Sequence, residues 1–205
     1  MTASSVPAPS ASASSSAAPD RLSTAFVVSF AVFAVLVALS VFGGLASDSA
    51  AFFRAHATAW SMIALATPAM TLYVVRYRRH PLDGWWRWLW SLGWAMNLLH
   101  VYYGLFQLHD GQPLTVFQRQ GFVLAFSIFF FTALWGIDVI VAWVRPGWQL
   151  RYDWLNGLAL VVGFATFFIS TVIFQNDRTS LAVGLIMTLC VAGGLVSRLL
   201  SPSPR

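Results

Sequence analysis

Asn97 and His100 interrupt an otherwise apolar and aromatic run, WWRWLWSLGWAMNLLHVYYGLF. Three residues apart, they share one face of a helix. An imidazole in such a run can ligate haem or a metal, relay a proton, or close an interhelical hydrogen bond with Asn97 nearby. Trp94 lies in the same run and requires either packing or a cofactor as its reason. Trp85, Trp86, Trp88 and Trp90 crowd the start of the run. They read as an aromatic belt at headgroup level or as a flat face for a porphyrin, quinone or sterol. His56, His109 and Asp110 fall near the ends of neighbouring runs, on the side expected for His100; with it they read either as scattered interfacial polar residues or as candidates for an outward-facing metal or haem site. Asp138 is the one carboxylate inside an apolar run, LWGIDVIVAW. An unpaired carboxylate there is costly, so Arg87, near the same end of the adjacent run, is expected to pair with it as a clamp. Proton or ion coupling at Asp138 is the sharper alternative.

Other chemistries lack their residues. The sequence has no phosphate-binding glycine loop, no HExxH and no acidic cluster. No Ser–His–Asp arrangement can be argued, so hydrolase activity is unsupported and catalysis is left undecided. Cys190 is the single cysteine, which excludes an internal disulfide and reads as a small buried or lipid-facing residue.

The elements that must carry these residues follow from composition. Of the 205 residues 58% are hydrophobic and 9% charged, against about 25% charged in soluble domains. Every cation is arginine and every anion aspartate. Six stretches approach the roughly 20 apolar residues of a membrane-crossing helix: about Leu22–Ala46, His56–Val75, Trp85–Phe106, Gly121–Val144, Trp154–Phe174 and Ser180–Leu200. They do not alternate polar and apolar residues as barrel strands do. The expected fold is an all-α polytopic bundle over 21–200, preceded by a disordered Ser/Ala/Pro-rich tail (1–20) and followed by a short tail (201–205). The run after Arg21 is longer than a signal-peptide core and reads as a spanning anchor.

Arginine placement sets the expected orientation. With the N-terminus in the cytoplasm, Arg21, Arg76, Arg78, Arg79, Arg87, Arg145, Arg151, Arg198 and Arg205 lie inside and Arg54, Arg119 and Arg178 outside, nine against three. Both termini are then cytoplasmic and the location is the inner (plasma) membrane. The net charge of +5 is accounted for by this asymmetry, and nucleic acid is not an expected partner. The turn RYRRHPLDGW, with His80, reads as a basic contact to anionic lipid. In the last run, Gly184, Thr188 and Ala192, and then Gly193 and Ser197, repeat at four-residue spacing and predict close packing within the bundle.

The stretch from Thr67-Pro68 through the arginine-rich turn to Arg87 and His100 resembles part of the ferric-reductase-like transmembrane family. Its nearest member type is the haem-bearing membrane subunit of the methionine sulfoxide reductase system. The resemblance covers about a third of the chain and implies b-type haem held between helices, with His100 as a ligand. The family's partner histidines on a later helix have no counterpart in RYDWLNGLALVVGFATFFIS, where Asn156 is near one expected position. His109 is the last histidine, so a bis-histidine haem across the third and fifth runs cannot form.

Three functions remain open from sequence: a non-enzymatic accessory or assembly component working beside other membrane subunits, a haem- or quinone-linked electron-transfer subunit, and a small proton-coupled transporter. The last rests on Asp138 and on a second helix broken at Pro68.

Overall fold

The computed structural model describes residues 18–76, 82, 84–145, 153–174 and 177–201, and these are almost wholly helical. The order is α1 (Ala18–Gly43), α2 (Ala50–Arg76), α3 (Gly84–Tyr102), α4 (Pro113–Gln120), α5 (Phe122–Val144), α6 (Asp153–Phe168) and α7 (Arg178–Leu200). A 3-10 turn, Gly44–Ala46, extends α1, and π-helical segments, Tyr103–Gln107 and Ile169–Ile173, extend α3 and α6. α1 begins three residues inside the expected tail. The expected outer loop, about Gln107–Gln120, contains α4, started by Pro113 at its first turn. The basic turn Arg78–Pro81 and Arg151 lie outside the described residues.

Five helical stretches are long and apolar enough to cross a membrane: Thr24–Ala46, Ala50–Arg76, Phe122–Val144, Trp154–Ile173 and Arg178–Leu200. α3 is not among them, because Arg87, Asn97, His100 and its tryptophans dilute its apolar character. It is instead packed among α1, α2 and α5. That enclosure is what its polar residues require.

α2 is the central helix, with its most extensive contacts to α3 and α7. Its buried face runs through Ala55, Met62, Ala66, Ala69, Met70 and Tyr73. Small residues along it let neighbours approach closely. α2 is continuous through Pro68 rather than broken there. The proline has no N–H to give to the Ala64 carbonyl one turn back, while on either side of it Thr67 donates its hydroxyl to the Ile63 carbonyl (2.7 Å) and Thr71 to the Thr67 carbonyl (2.9 Å).

Contacts between side chains fix the helix directions. His100 meets Ala55, and Asn97 meets Thr132, so α3 runs opposite to α2 and to α5. Asn156 meets Asp138, which sets α6 antiparallel to α5. Trp60 meets Ser180 and Arg198 meets Val74, so α7 runs with α2. Ser40 meets Ser61, which returns α1 antiparallel to α2. Three long helices therefore run each way. Arginines cap two of them: Arg54 donates to the Val41 carbonyl near the end of α1 (3.2 Å), and Arg198 donates to the Val74 carbonyl near the end of α2 (3.3 Å).

The expected small-residue pattern of α7 divides. Gly184 is pressed against Thr171 and Val172, whereas Ala192 is exposed and Gly193 has open space around it; Gly194, outside the expected pattern, is the glycine that meets Thr71 and Val75. Cys190 and Ser197 are exposed on the outward face. Gly184→Leu is expected to destabilise the protein by about 1–3 kcal/mol through overpacking, and Gly193→Leu to leave it nearly unchanged. Thermal unfolding of both variants in detergent checks this pair.

Candidate functional site

A cavity of about 330 Å³ occupies the half of the bundle that holds the ends of α3 and α6 and the starts of α2, α5 and α7. This volume is near the lower end for small-molecule sites. Its walls are mainly apolar, with Met62, Ile63, Phe129, Phe131 and Phe167 among them. Both π-helical segments line it, through Gly104 and Leu105 on one side and Ser170 and Thr171 on the other. π turns widen a helix locally and recur at functional sites.

His56, His100 and His109 all line this cavity. His100 lies between α3 and α2, its Nδ1 2.9 Å from the Ala55 carbonyl oxygen. A carbonyl only accepts, so Nδ1–H donates, and in the neutral ring Nε2 is left as an acceptor. His56 Nδ1 is committed within its own helix to the Phe52 carbonyl (3.0 Å). His109 is buried and its Nδ1 has no hydrogen-bond partner. Although they share a cavity, no group of three His, Cys, Asp or Glu side chains among the described residues is close enough to hold a metal ion.

Asn97 also lines the cavity, and it donates to the Thr132 hydroxyl (2.9 Å) rather than pairing with His100. Trp94 does not line the cavity. It donates Nε1–H to the Thr132 carbonyl (3.1 Å) and lies against Gly136, where a Cβ would collide with its indole. Its role is to fit α3 to α5. Thr132, which receives both, was not singled out from sequence. Nothing distinguishes a threonine facing a neighbouring helix from one facing lipid until the helix rotation is known.

The cavity ends on a column of aromatic rings. Phe131 stacks on Trp135 (centroids 5.0 Å apart), Phe167 meets both edge-on, and Trp135 contacts Trp90 (4.6 Å), which stacks on Trp86 (6.2 Å). Trp86 and Trp90 are thus core residues, not members of a headgroup belt. Trp85 and Trp88 fit that description better; Trp88 packs against Phe26 and Trp143 near the helix ends.

Below the column lies Asp138, wholly buried. Its Oδ2 accepts hydrogen bonds from Trp90 Nε1 (2.8 Å) and Asn156 Nδ2 (2.8 Å). The expected Arg87–Asp138 pair does not form. The Arg87 guanidinium rests over the Trp143 ring, 5.2 Å from its centroid, in a cation–π contact. Trp143 is five residues beyond Asp138, roughly 7.5 Å along the helix axis. Trp90, one turn deeper than Arg87, is the residue of α3 that reaches the carboxylate.

The haem implied by the sequence resemblance does not fit these residues. His100 Nε2 is available as one axial ligand, but the facing part of α6 presents Thr166, Ser170 and Thr171. Among the described residues no arginine lines the cavity to meet two propionates. No family model matches the chain, nor does any curated protein or solved structure.

The α7 rim of the site is held by a cap. Asp177 Oδ1 accepts from the Ser180 backbone N–H (2.7 Å), and the Ser180 hydroxyl accepts from Trp60 Nε1 (2.9 Å). Burial by itself raises the Asp177 pKa, but the hydrogen bonds from Ser180, together with smaller contributions from His56 and the Thr179 N–H, hold the carboxyl below its ordinary value. A lowered folded-state pKa stabilises above the unfolded value and ceases to do so as pH falls through the folded one. Asp177→Ala is expected to cost about 1 kcal/mol. The wild-type advantage should be complete above about pH 4 and disappear in stronger acid. Paired thermal melts across that range measure it.

Proposed function

We propose that this is a six-span protein of the plasma membrane, with both termini cytoplasmic, that acts without catalysis of its own as a membrane component binding a small, neutral, largely apolar molecule on its outer side. α3 with its π-helical extension supplies the sixth span. The alternating helix directions and the nine-to-three arginine distribution support this placement.

The observation that carries the binding role is the charge-free lining of the cavity. Apart from three histidines, its walls hold no ionisable side chain among the described residues. A charged ligand would enter an apolar space without a counter-charge, at high cost. A hydroxyl group fits better: it donates to His100 Nε2, while its hydrocarbon portion covers the phenylalanines. Asn97, Ser170, Thr171 and Gln120 add polar contacts around the same space.

Two experiments test these statements. In intact cells, with Cys190 replaced by Ser, a membrane-impermeant thiol reagent should label Asp110→Cys and spare Ser201→Cys; the opposite pattern overturns the orientation. In detergent, radiolabelled decanol should bind the purified protein saturably. Losing the single hydrogen bond in His100→Phe should weaken it about tenfold, for a bond of roughly 1–1.5 kcal/mol. Gly104→Leu, at a position where a Cβ meets no atom within 4 Å, should fill the cavity and block binding without disturbing the fold. Absence of saturable binding by the wild-type protein sinks the proposal.

A further inference from the structure

The hydrogen bonds around Asp138 are incomplete in an informative way. Both donors, Trp90 Nε1–H and Asn156 Nδ2–H, go to Oδ2. Oδ1 is buried and receives none. Asn156 Oδ1 is also buried and also receives none. Two acceptors are thus left without a donor in two side chains that already touch. An ionised carboxylate has about four lone-pair sites and accepts only. Burying one with half its oxygen surface bare costs several kcal/mol unless a cation or a proton compensates.

Among the described residues no cation does so. The ionisable groups described on this half of α2, α3, α5 and α6 are Tyr73, Arg76, Arg87 and Arg145, and none of them hydrogen-bonds or ion-pairs with Asp138. Trp135 Nε1, a buried donor three residues away on α5, makes no hydrogen bond either. Two oxygens are too few for a hard metal ion, which takes about six or more. One proton matches the deficit.

We propose that Asp138 and Asn156 form a buried proton-binding site in which Asp138 is a neutral carboxylic acid, its proton placed on Oδ1 and directed to the amide carbonyl of Asn156. Binding is a simple protonation: Oδ1 gains the O–H bond and the carboxylate loses its negative charge. The acid becomes a donor on one oxygen and remains an acceptor on the other. Asn156, whose amide already donates to Oδ2, then both gives and receives. The site is independent of the outer cavity, from which Phe131 and Trp135 separate it.

Infrared spectroscopy of the detergent-purified, full-length protein, with and without ¹³C-aspartate, tests this directly. The chain has no glutamate and seven aspartates, so side-chain carboxyl absorption comes from aspartate alone. At neutral pH a solvated aspartate is ionised. The expected result is a protonated-carboxyl C=O band at about pH 7 that shifts with the label, disappears in Asp138→Asn, and moves to higher frequency in Asn156→Leu. No such band in the wild-type protein means that Asp138 is ionised and overturns the proposal. So does a band that survives Asp138→Asn. If that variant fails to fold, the isotope-sensitive wild-type band and its displacement in Asn156→Leu still decide, and an undisplaced band removes Asn156 from the site. Decanol binding is not involved, so this result and the outer-cavity result stand or fall separately.

Discussion

A carboxylate oxygen inside an apolar bundle must find its hydrogen-bond donors within the protein. Asp138 Oδ2 finds one on each of two different helices, Trp90 of α3 and Asn156 of α6. That requirement sets the axial level and rotation of α3, α5 and α6 together. Turning α5 by one residue would move the carboxylate about 100° around the helix and break both bonds. The same rule is repeated with lighter groups throughout the bundle. Ser40 meets Ser61 between α1 and α2, His100 meets Ala55 between α3 and α2, and Trp60 meets Ser180 between α2 and α7. Between lipid-like surfaces the apolar contacts alone discriminate weakly among registers. These polar pairs supply much of the discrimination.

The six long helical stretches were legible in the sequence because apolar length is a one-dimensional property. Their boundaries agree with the observed helices and their extensions to within about four residues, except that α2 begins at Ala50, six residues before the expected His56. Contacts depend on rotation, and there the reading was less complete. Asp138 was recognisable as a group needing a partner. Formal charge pointed to Arg87, while the structure supplies two neutral N–H donors and leaves Arg87 on the face of Trp143. The tryptophans show the same difficulty. Four in six residues at a helix start suggest an interface belt, yet 86 and 90 are one turn apart and share the inward face. Helix ends place His56, His100 and His109 on one side of the bundle, and that they border one space depends on helix rotation, which the sequence does not give. The small helix α4 was not, since PLTVFQRQ lacks the length or apolarity of a span.

The resulting molecule has two unlike halves. One holds a space edged with imidazoles and hydroxyls, the other a single acid enclosed by indoles and an amide. Phe131, Trp135 and Phe167 divide them, wedged where Gly93 and Gly163 leave room for the rings. A solute reaching the first half meets a wall of edge-to-face aromatics before it can meet Asp138. These rings fill the space directly between the two regions. Any coupling has to pass through movement of these rings, with Trp90 as the element common to the column and the acid.

The π-helical segments at the ends of α3 and α6 have one further consequence. Each turn of this kind encloses an extra residue in its hydrogen-bonded ring, so the wall bulges while the chain beyond it resumes its former phase. The segments border the same space, one containing Gly104 and the other Thr171. The bore of the chamber is thus written partly in chain length. Deleting one residue from either segment would tighten that wall to an ordinary α turn and narrow the chamber, with every remaining side chain kept. The width of this space is set by the number of residues in its wall as well as by their kind.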